Sequence, residues 1–282
     1  MRIAYLITAH TNPEQLKRLV MSLQHPDADF YLYIDGKVPL VSFLSIAHLR
    51  NVYFIQNRIP IYWGGYSQVQ STLIGLSEIL KTNKEYGHIN FLSGSDYPIK
   101  STAFIHDYLA AHPNNAFMDH RDIYQEWPAA VYRISKYDLG YYRIPRKASL
   151  QKLINGVTPN RTLPYRLVPF GGSAWFSMPS ACARYILQYI TQHPALSRFF
   201  KLTWGSDEVI FQTILVNSPF RKTLVDNDLR YIDWSQDGPS PKLLTQEDAA
   251  PLCATDDLWA RKFDAAASGE VLDYLDELRK SH

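Results

Sequence analysis

The residues best suited to do chemistry lie in Thr203-Trp204-Gly205-Ser206-Asp207-Glu208, a turn that feeds the apolar run Val209 to Leu215. Ser206 is a candidate helix N-cap, which puts Asp207 and Glu208 in a first turn where the helix dipole favours acids. Ile210 with Ile214, and Phe211 with Leu215, stand four apart, so the spacing predicts a helix with one buried face. A carboxylate on the first turn of a helix held from behind could serve as a general base. The same acids could instead only complement the dipole. Acids that could hold a cation are sparse. Ser95-Asp96 offers one carboxylate, a weak site for Mg²⁺ or Mn²⁺. The strings Asp27-Ala28-Asp29 and Asp226-Asn227-Asp228 precede a strand and sit in an expected hairpin turn, so both read as turn chemistry.

The elements that must position these residues follow from the apolar pattern. Ile3 to Thr8 is a continuous run of strand length, and Asn12-Pro13-Glu14 then opens a helix with cap, proline and acid in the expected order. Leu16, Leu19, Val20 and Leu23 form its buried face. A second strand, Phe30 to Ile34, stops at Asp35-Gly36. Polar residues at strand ends after a β-α-β start suit a nucleotide, because ligands sit at the carboxyl ends of parallel strands. Neither GxGxxG nor a Walker A string occurs, which removes the dinucleotide and P-loop readings. Asn51 to Ile55 and His88 to Leu92 give further strands, with a helix between them carrying Val69, Leu73, Leu76, Ile79 and Leu80. Ser101 caps the next helix and Ala116 to Met118 continues the sheet. Residues 121–168 carry nine Lys/Arg against three acids, with tyrosines interleaved, and read as a long excursion that holds an acceptor or is solvated surface. Phe170 to Met178 returns to strand and a helix follows from Ser180. Leu224-Val225 and Leu229 to Trp234 look like a hairpin, residues 235–267 look irregular, and Glu270 to Lys280 closes as an amphipathic helix.

Composition bounds the function classes. The 282 residues carry a net charge of +2, which gives no global field for nucleic acid. No run of 18 apolar residues spans a membrane, and the N-terminal apolar stretch reads as a buried strand, not a signal peptide. Two cysteines, Cys182 and Cys253, make no disulfide framework and no CxxC. One domain is expected over 1–282, with a nucleotide-binding half at 1–120, the variable excursion at 121–168, and a catalytic, diphosphate-binding half at 169–282.

Five stretches, in order, resemble the core-2/I-branching N-acetylglucosaminyltransferase and peptide xylosyltransferase family. They are Tyr62-Trp63-Gly64-Gly65-Tyr66-Ser67-Gln68-Val69-Gln70, then Phe91-Leu92-Ser93-Gly94-Ser95-Asp96-Tyr97-Pro98-Ile99-Lys100, then Phe170-Gly171-Gly172-Ser173-Ala174-Trp175-Phe176, then Ser206-Asp207-Glu208, and last Trp259-Ala260-Arg261-Lys262-Phe263-Asp264. The resemblance covers about residues 3–264 and is least in 121–168. It implies a GT-A fold, a Rossmann-like α/β class with a mixed, mostly parallel sheet flanked by helices, and inverting transfer from a UDP-sugar.

It also implies roles. Glu208 matches the family's general base. Arg230 and Lys262 match the Arg and Lys that meet the diphosphate in members working without a metal, a task suited to a bidentate guanidinium and a point charge. Asp35 matches an acid facing the uridine, Trp63 an aromatic lying against it, and Ala9 and His10 the loop under the base, where His10 could also be a satisfied loop histidine. Asp96 either bonds donor-sugar hydroxyls or caps the turn before Pro98. Gly171, Gly172 and Ser173 either let backbone approach a ligand or mark a bulge. Trp175 lines the sugar cleft or the core, and Glu126 with Trp127 touches the acceptor.

The expected activity is therefore a glycosyltransferase moving a sugar, GlcNAc first and xylose as the alternative, from its UDP conjugate to a glycan hydroxyl, with no divalent metal required. A non-catalytic carbohydrate- or nucleotide-binding protein and a metal-dependent nucleotide-sugar hydrolase are the rival classes. The expected partners are a UDP-sugar and a glycan acceptor, without nucleic acid. The expected compartment is a bacterial cytoplasm, with peripheral attachment to the inner membrane left open.

Overall fold

The computed structural model describes residues 1–280 apart from 143, 237 and 239, so Arg143 of the basic excursion lies outside the described residues. Its elements begin with β1 (Ile3–Ala9), α1 (Pro13–Ser22), β2 (Ala28–Ile34), β3 (Val52–Phe54), α2 (Ser67–Lys81), β4 (His88–Ser93), β5 (Asp96–Pro98) and α3 (Thr102–Ala111). Next come β6 (Ala116–Phe117), β7 (Arg121–Asp122), α4 (Val131–Ser135), α5 (Lys147–Val157), β8 (Phe170–Gly171), β9 (Phe176–Pro179), α6 (Ser180–Gln192), α7 (Pro194–Phe200) and α8 (Ile210–Val216). The last are β10 (Leu224–Val225), β11 (Arg230–Ile232), α9 (Ala249–Ala254), β12 (Trp259–Arg261) and α10 (Gly269–Lys280). Two compact units emerge. One comprises Met1–Gln56, Lys84–Asn114 and Leu229–His282, the other Asn57–Asn83 and Asn115–Asp228.

The first unit is built on four parallel strands in the order β4-β1-β2-β3. β1 runs beside β2 from Ile3↔Ala28 to Ala9↔Ile34 and beside β4 from Ile3↔His88 to Thr8↔Ser93. A parallel strand covered on both faces needs apolar residues throughout, which is why the uninterrupted Ile3–Thr8 run was readable. Asn12 caps α1 by accepting from the Gln15 amide at 3.4 Å, with Pro13 in the first turn as expected. Ser101 caps α3 through the Phe104 amide at 3.3 Å. Replacing Ser101 by Ala should lower unfolding stability by about 1 kcal/mol in a urea titration, since one orphan amide loses its partner. α10 buries Val271, Leu272 and Leu275, as its spacing predicts.

Three expectations fail, each because contacts far apart in sequence decide the outcome. Asp29 lies within β2, not in a turn, and is fully buried, with Arg2 at 2.7 Å, Lys84 at 2.8 Å and the Tyr86 hydroxyl at 2.9 Å. Burial opposes its charge, but hydrogen bonds from Lys84, Arg2 and Tyr86 outweigh burial and hold its pKa below the usual carboxylate range. Residues 235–267, expected irregular, contain β12 and α9. The expected 224–234 hairpin does not form. β11 pairs in parallel with β12, at Arg230↔Trp259, and β10 pairs in parallel with β6, at Leu224↔Ala116. The turn between them is real, with Leu229 at φ 61°, but the strands it joins belong to different sheets.

In the second unit α2 buries Val69, Leu76 and Ile79. β6 pairs antiparallel with β9 at Phe117↔Ser177, and β7 with β8 at Arg121↔Gly171. The single strand expected over 170–178 divides into β8 and β9, because residues between them turn around Asp119, whose Oδ2 accepts from the Ser173 amide at 3.1 Å. The 206–215 segment also differs from expectation. Ser206–Glu208 form one 3-10 turn after Gly205, which sits at φ 62°, and α8 starts only at Ile210. Ser206 does not cap it; its hydroxyl is buried without a hydrogen-bond partner. All seven residues of α8 are buried, so the helix is core on every side instead of amphipathic. No helix among the described residues is long and apolar enough to cross a membrane.

Candidate active site

Glu208 is fixed by its backbone before its side chain does anything. Its amide donates to Gly205 O at 3.1 Å, and its carbonyl accepts from Gly172 at 2.9 Å. The glycines follow from that closeness. A Cβ on Gly171 would stand 2.8 Å from Glu208 O, and one on Gly172 would stand 2.5 Å from Asp119 O. At both glycines the chain's own backbone comes close.

The Glu208 carboxylate is about a third exposed, at 37%. Its Oε2 accepts a short hydrogen bond from Arg133 Nη1, while Oε1 accepts none among the described residues. Arg133 is flanked by two indoles, with its guanidinium carbon 4.7 Å from the Trp127 ring and 4.6 Å from the Trp204 ring. Cation–π contact with two indoles restrains the guanidinium. A Cβ on Gly205 would meet Arg133 Nη1 at 2.9 Å, so glycine there serves both the positive φ and the guanidinium.

Asp207 points the other way and is buried. Its Oδ2 accepts from Gln68 Nε2 at 2.9 Å, and Gln68 Oε1 accepts from the Gly64 amide at 2.6 Å. Gly205 N donates to Gly64 O at 2.8 Å. Gln68 thereby ties the Trp63-Gly64-Gly65 loop to the Asp207-Glu208 turn. Burial, then the adjacent Glu208 charge, push the Asp207 carboxyl up to about 7. Trp63 is largely exposed and sets its ring edge-on to Trp204 at 5.4 Å. Both line a cavity of about 690 Å³ together with Tyr62, Tyr141, Tyr142 and Lys147. Glu126 is exposed and accepts from the Asp122 amide at 2.6 Å, which locks its own turn. Ser173 Oγ accepts from the amide of half-buried Trp175 at 3.3 Å, and Ser173 O accepts from Gln212 Nε2 at 2.6 Å.

In the first unit, the carboxyl ends of β1 and β2 join Ala9 to Asp35, whose amide donates to Ala9 O at 2.9 Å. Asp35 is buried, its Oδ1 accepting from Lys37 N at 2.8 Å and its Oδ2 lying 3.3 Å from Lys37 Nζ. His10 is exposed. The small sheet β11-β12-β5 gathers Asp96, Arg230 and Lys262, because Arg261 pairs with Asp96 and Arg230 with Trp259. Asp96 is fully buried. It accepts from Ser93 N at 2.8 Å and Ser93 Oγ at 2.9 Å, with Arg261 Nε 3.5 Å away. These contacts describe the turn-cap alternative. Arg230 is no surface arginine. It is buried against the Trp259 ring at 5.1 Å, and its Nη2 donates to Phe91 O at 2.6 Å. Lys262 is half-buried, and its ammonium makes no hydrogen bond or ion pair among the described residues.

The structure thus joins Glu208 to Gly172 in one unit and Ala9 to Asp35, and Asp96 to the Arg230–Lys262 sheet, in the other. Glu126 bonds within its own turn, and Trp175 bonds to Ser173. Three residues escaped sequence reasoning. Arg133 was only one base among nine in 121–168. Gln68 stood unremarked four residues after Gly64, the spacing that lets a helical side chain reach back to the preceding loop. Gln15 is buried on α1. Its Nε2 donates to Gly94 O at 3.0 Å and Phe263 O at 2.9 Å, and its Oε1 accepts from Ala265 N at 2.7 Å, so it fixes the backbone just before Asp96 and just past Lys262.

Among known proteins, xylosyltransferase 2 of Rattus norvegicus is 26% identical over 305 residues, covering 98% of this chain and 33% of that protein. Xylosyltransferase oxt of Drosophila melanogaster is 26% identical over 307 residues, with the same coverage of 98% and 33%. The chain spans about a third of the length of these relatives. Mouse xyloside xylosyltransferase 1, without ligand, superposes with a TM-score of 0.40 at 10% identity, covering 92% of this chain and 97% of that one, a likeness too slight to weigh further. The model of the core-2/I-branching enzyme family matches residues 3–253, a span that holds the first four of the five stretches, and the chain belongs to that family.

Proposed function

We propose that this protein is an inverting glycosyltransferase that moves xylose from UDP-xylose to a hydroxyl acceptor, with Glu208 as general base. The observation that carries the reading is the Glu208 carboxylate in a chain of this family: one oxygen is held by Arg133, the other is open, and the group is reachable from solvent. In the step proposed, the acceptor oxygen attacks the anomeric carbon, Glu208 takes the hydroxyl proton, and the bond to UDP breaks with its electrons passing to the diphosphate. GlcNAc, preferred on sequence grounds, gives way to xylose because the Rattus norvegicus and Drosophila melanogaster relatives carry the xylosyl name.

Arg230 and Lys262 are proposed to meet the diphosphate charge. Lys262 has an unused ammonium, and preorganised cations stabilise a leaving anion at little reorganisation cost. A divalent ion suits Asp96 poorly, since both its oxygens are already committed and a guanidinium stands beside it. Asp35, Ala9, His10 and Trp63 are proposed for the nucleoside, while Ser173, Gly172 and Trp175 are proposed to flank the sugar and Glu126 the acceptor. Asp96 is then the residue that shapes the Ser93–Ser95 turn.

The test is UDP release and thermal shift over a panel of UDP-sugars, with and without EDTA. UDP-xylose should give the largest turnover, and EDTA should leave it intact. Release abolished by chelator would favour a metal-dependent hydrolase, and binding without turnover a non-catalytic role. Lys262→Ala should weaken UDP binding about tenfold or more, the order expected for one charge-assisted contact, with the melting temperature of the free protein unchanged. Unaltered UDP affinity in that variant would remove Lys262 from the diphosphate site.

A further inference from the structure

Glu208 is held by a device that the reaction itself does not demand. A general base needs a carboxylate, a proton to accept and room to reach it. It does not need a cation on one of its two oxygens. Here Arg133 Nη1 occupies Oε2, and the arginine side chain is nine-tenths buried, at 10% exposure. Only its contacts explain that burial. The guanidinium carbon lies over the Trp127 ring at 4.7 Å and over the Trp204 ring at 4.6 Å, and Gly205 leaves the space a side chain would take from Nη1. The three aromatic and basic residues come from two separate stretches of the second unit, the segment around α4 and the turn before Glu208 itself.

An arginine with its plane clamped can place one N–H in one direction only, whereas a lysine in the same position would pivot. The carboxylate it grips therefore cannot turn freely about its terminal bond, and Oε1 is left as the oxygen presented outward. We propose that Arg133, clamped by Trp127 and Trp204, is a positioning residue that orients the Glu208 carboxylate so that Oε1 faces the acceptor hydroxyl. The proposal rests on Glu208 being the base. It assigns a task to a basic residue of the 121–168 excursion other than binding an anionic acceptor or remaining solvated.

Orientation of this kind acts on turnover and not on donor affinity. A misplacement on the order of 1 Å at a reacting group can lower a rate about a hundredfold. The experiment follows UDP release from UDP-xylose, with water or an added hydroxyl acceptor as the second substrate, for the wild type, Arg133→Ala, Arg133→Lys and Glu208→Gln. UDP-induced thermal shift is read for each. Arg133→Ala should lower kcat about a hundredfold with the UDP shift unchanged. Non-denaturing guanidinium added to the buffer should restore part of the loss, because the small cation can enter the space the side chain vacates beside the two indoles. Arg133→Lys should fall between wild type and Ala, since it returns charge without the rigid plane.

Full kcat in Arg133→Ala overturns the proposal. So does a loss of kcat that tracks a lost UDP shift and is not relieved by guanidinium, because that pattern marks a purely structural arginine. The two levels separate cleanly. An inactive Glu208→Gln beside an active Arg133→Ala removes the clamp and leaves the base, whereas a fully active Glu208→Gln removes the base and the clamp with it.

Discussion

Glu208→Gln should bind UDP as the wild type does and release UDP from UDP-xylose about 10²–10⁴-fold more slowly. Glutamine keeps the length and the carbonyl oxygen, so the Arg133 hydrogen bond can persist and the 3-10 turn of Ser206–Glu208 has no reason to move. What it lacks is a group able to take a proton from the attacking hydroxyl. Single-turnover kinetics with matched thermal shifts separate the two effects, and the readout to watch is a retained UDP shift beside collapsed turnover. Wild-type turnover in Glu208→Gln would transfer the proton-accepting role to some other group.

The second large effect concerns Asp207 and stability. Its folded-state pKa, pushed up to about 7, lies above the ordinary 3.8 of an unfolded chain. A folded Asp207 therefore keeps its proton over a range in which the unfolded chain has lost it. The contribution to stability is fully present below about pH 4 and is lost as pH rises toward 7, amounting to about 4 kcal/mol at pH 7 and above. Asp207→Asn cannot ionise, and its side-chain oxygen can still accept from Gln68 Nε2, which lies 2.9 Å from the native carboxylate. The variant should thus be more stable than the wild type near pH 8 and close to it near pH 4. Urea titrations across that range decide the matter: parallel pH profiles for the two proteins would mean that Asp207 ionises normally in the fold.

The parts of the fold that were legible in the sequence are those fixed by near neighbours. Asn12 and Pro13 announce α1 because cap and helix lie within four residues, and Ser101 announces α3 for the same reason. The strand read over Ile3 to Thr8, which the structure extends to Ala9, was readable because a strand covered on both faces needs a nearly unbroken apolar run. β12 was not, since three residues carry no period, and Trp259–Arg261 becomes a strand only through Asp96–Pro98 on one side and Arg230–Ile232 on the other. The Asp226-Asn227-Asp228 turn signal was sound, yet a turn says nothing of whom the flanking strands will pair with. Glu208 was found through its place after a conspicuous turn. Arg133 was hidden 75 positions earlier, where only the assembled unit brings it to the carboxylate. Gln15 and Gln68 were invisible for a related reason: a buried glutamine looks like any surface glutamine until its backbone partners are known.

The first unit draws on the beginning, the middle and the end of the chain, and this sets an order of assembly during synthesis. The parallel strands β1, β2, β3 and β4 are all complete once Ser93 has left the ribosome, and the Glu208 turn follows well before Trp259–Arg261 appears. Until then Asp96–Pro98 is an edge with no neighbour, and the buried Asp96 carboxylate lacks the guanidinium of Arg261. A nascent or prematurely stopped chain would thus own the Glu208 turn without the Lys262 that is proposed to meet a diphosphate, and it would carry an open strand edge of the kind that invites aggregation.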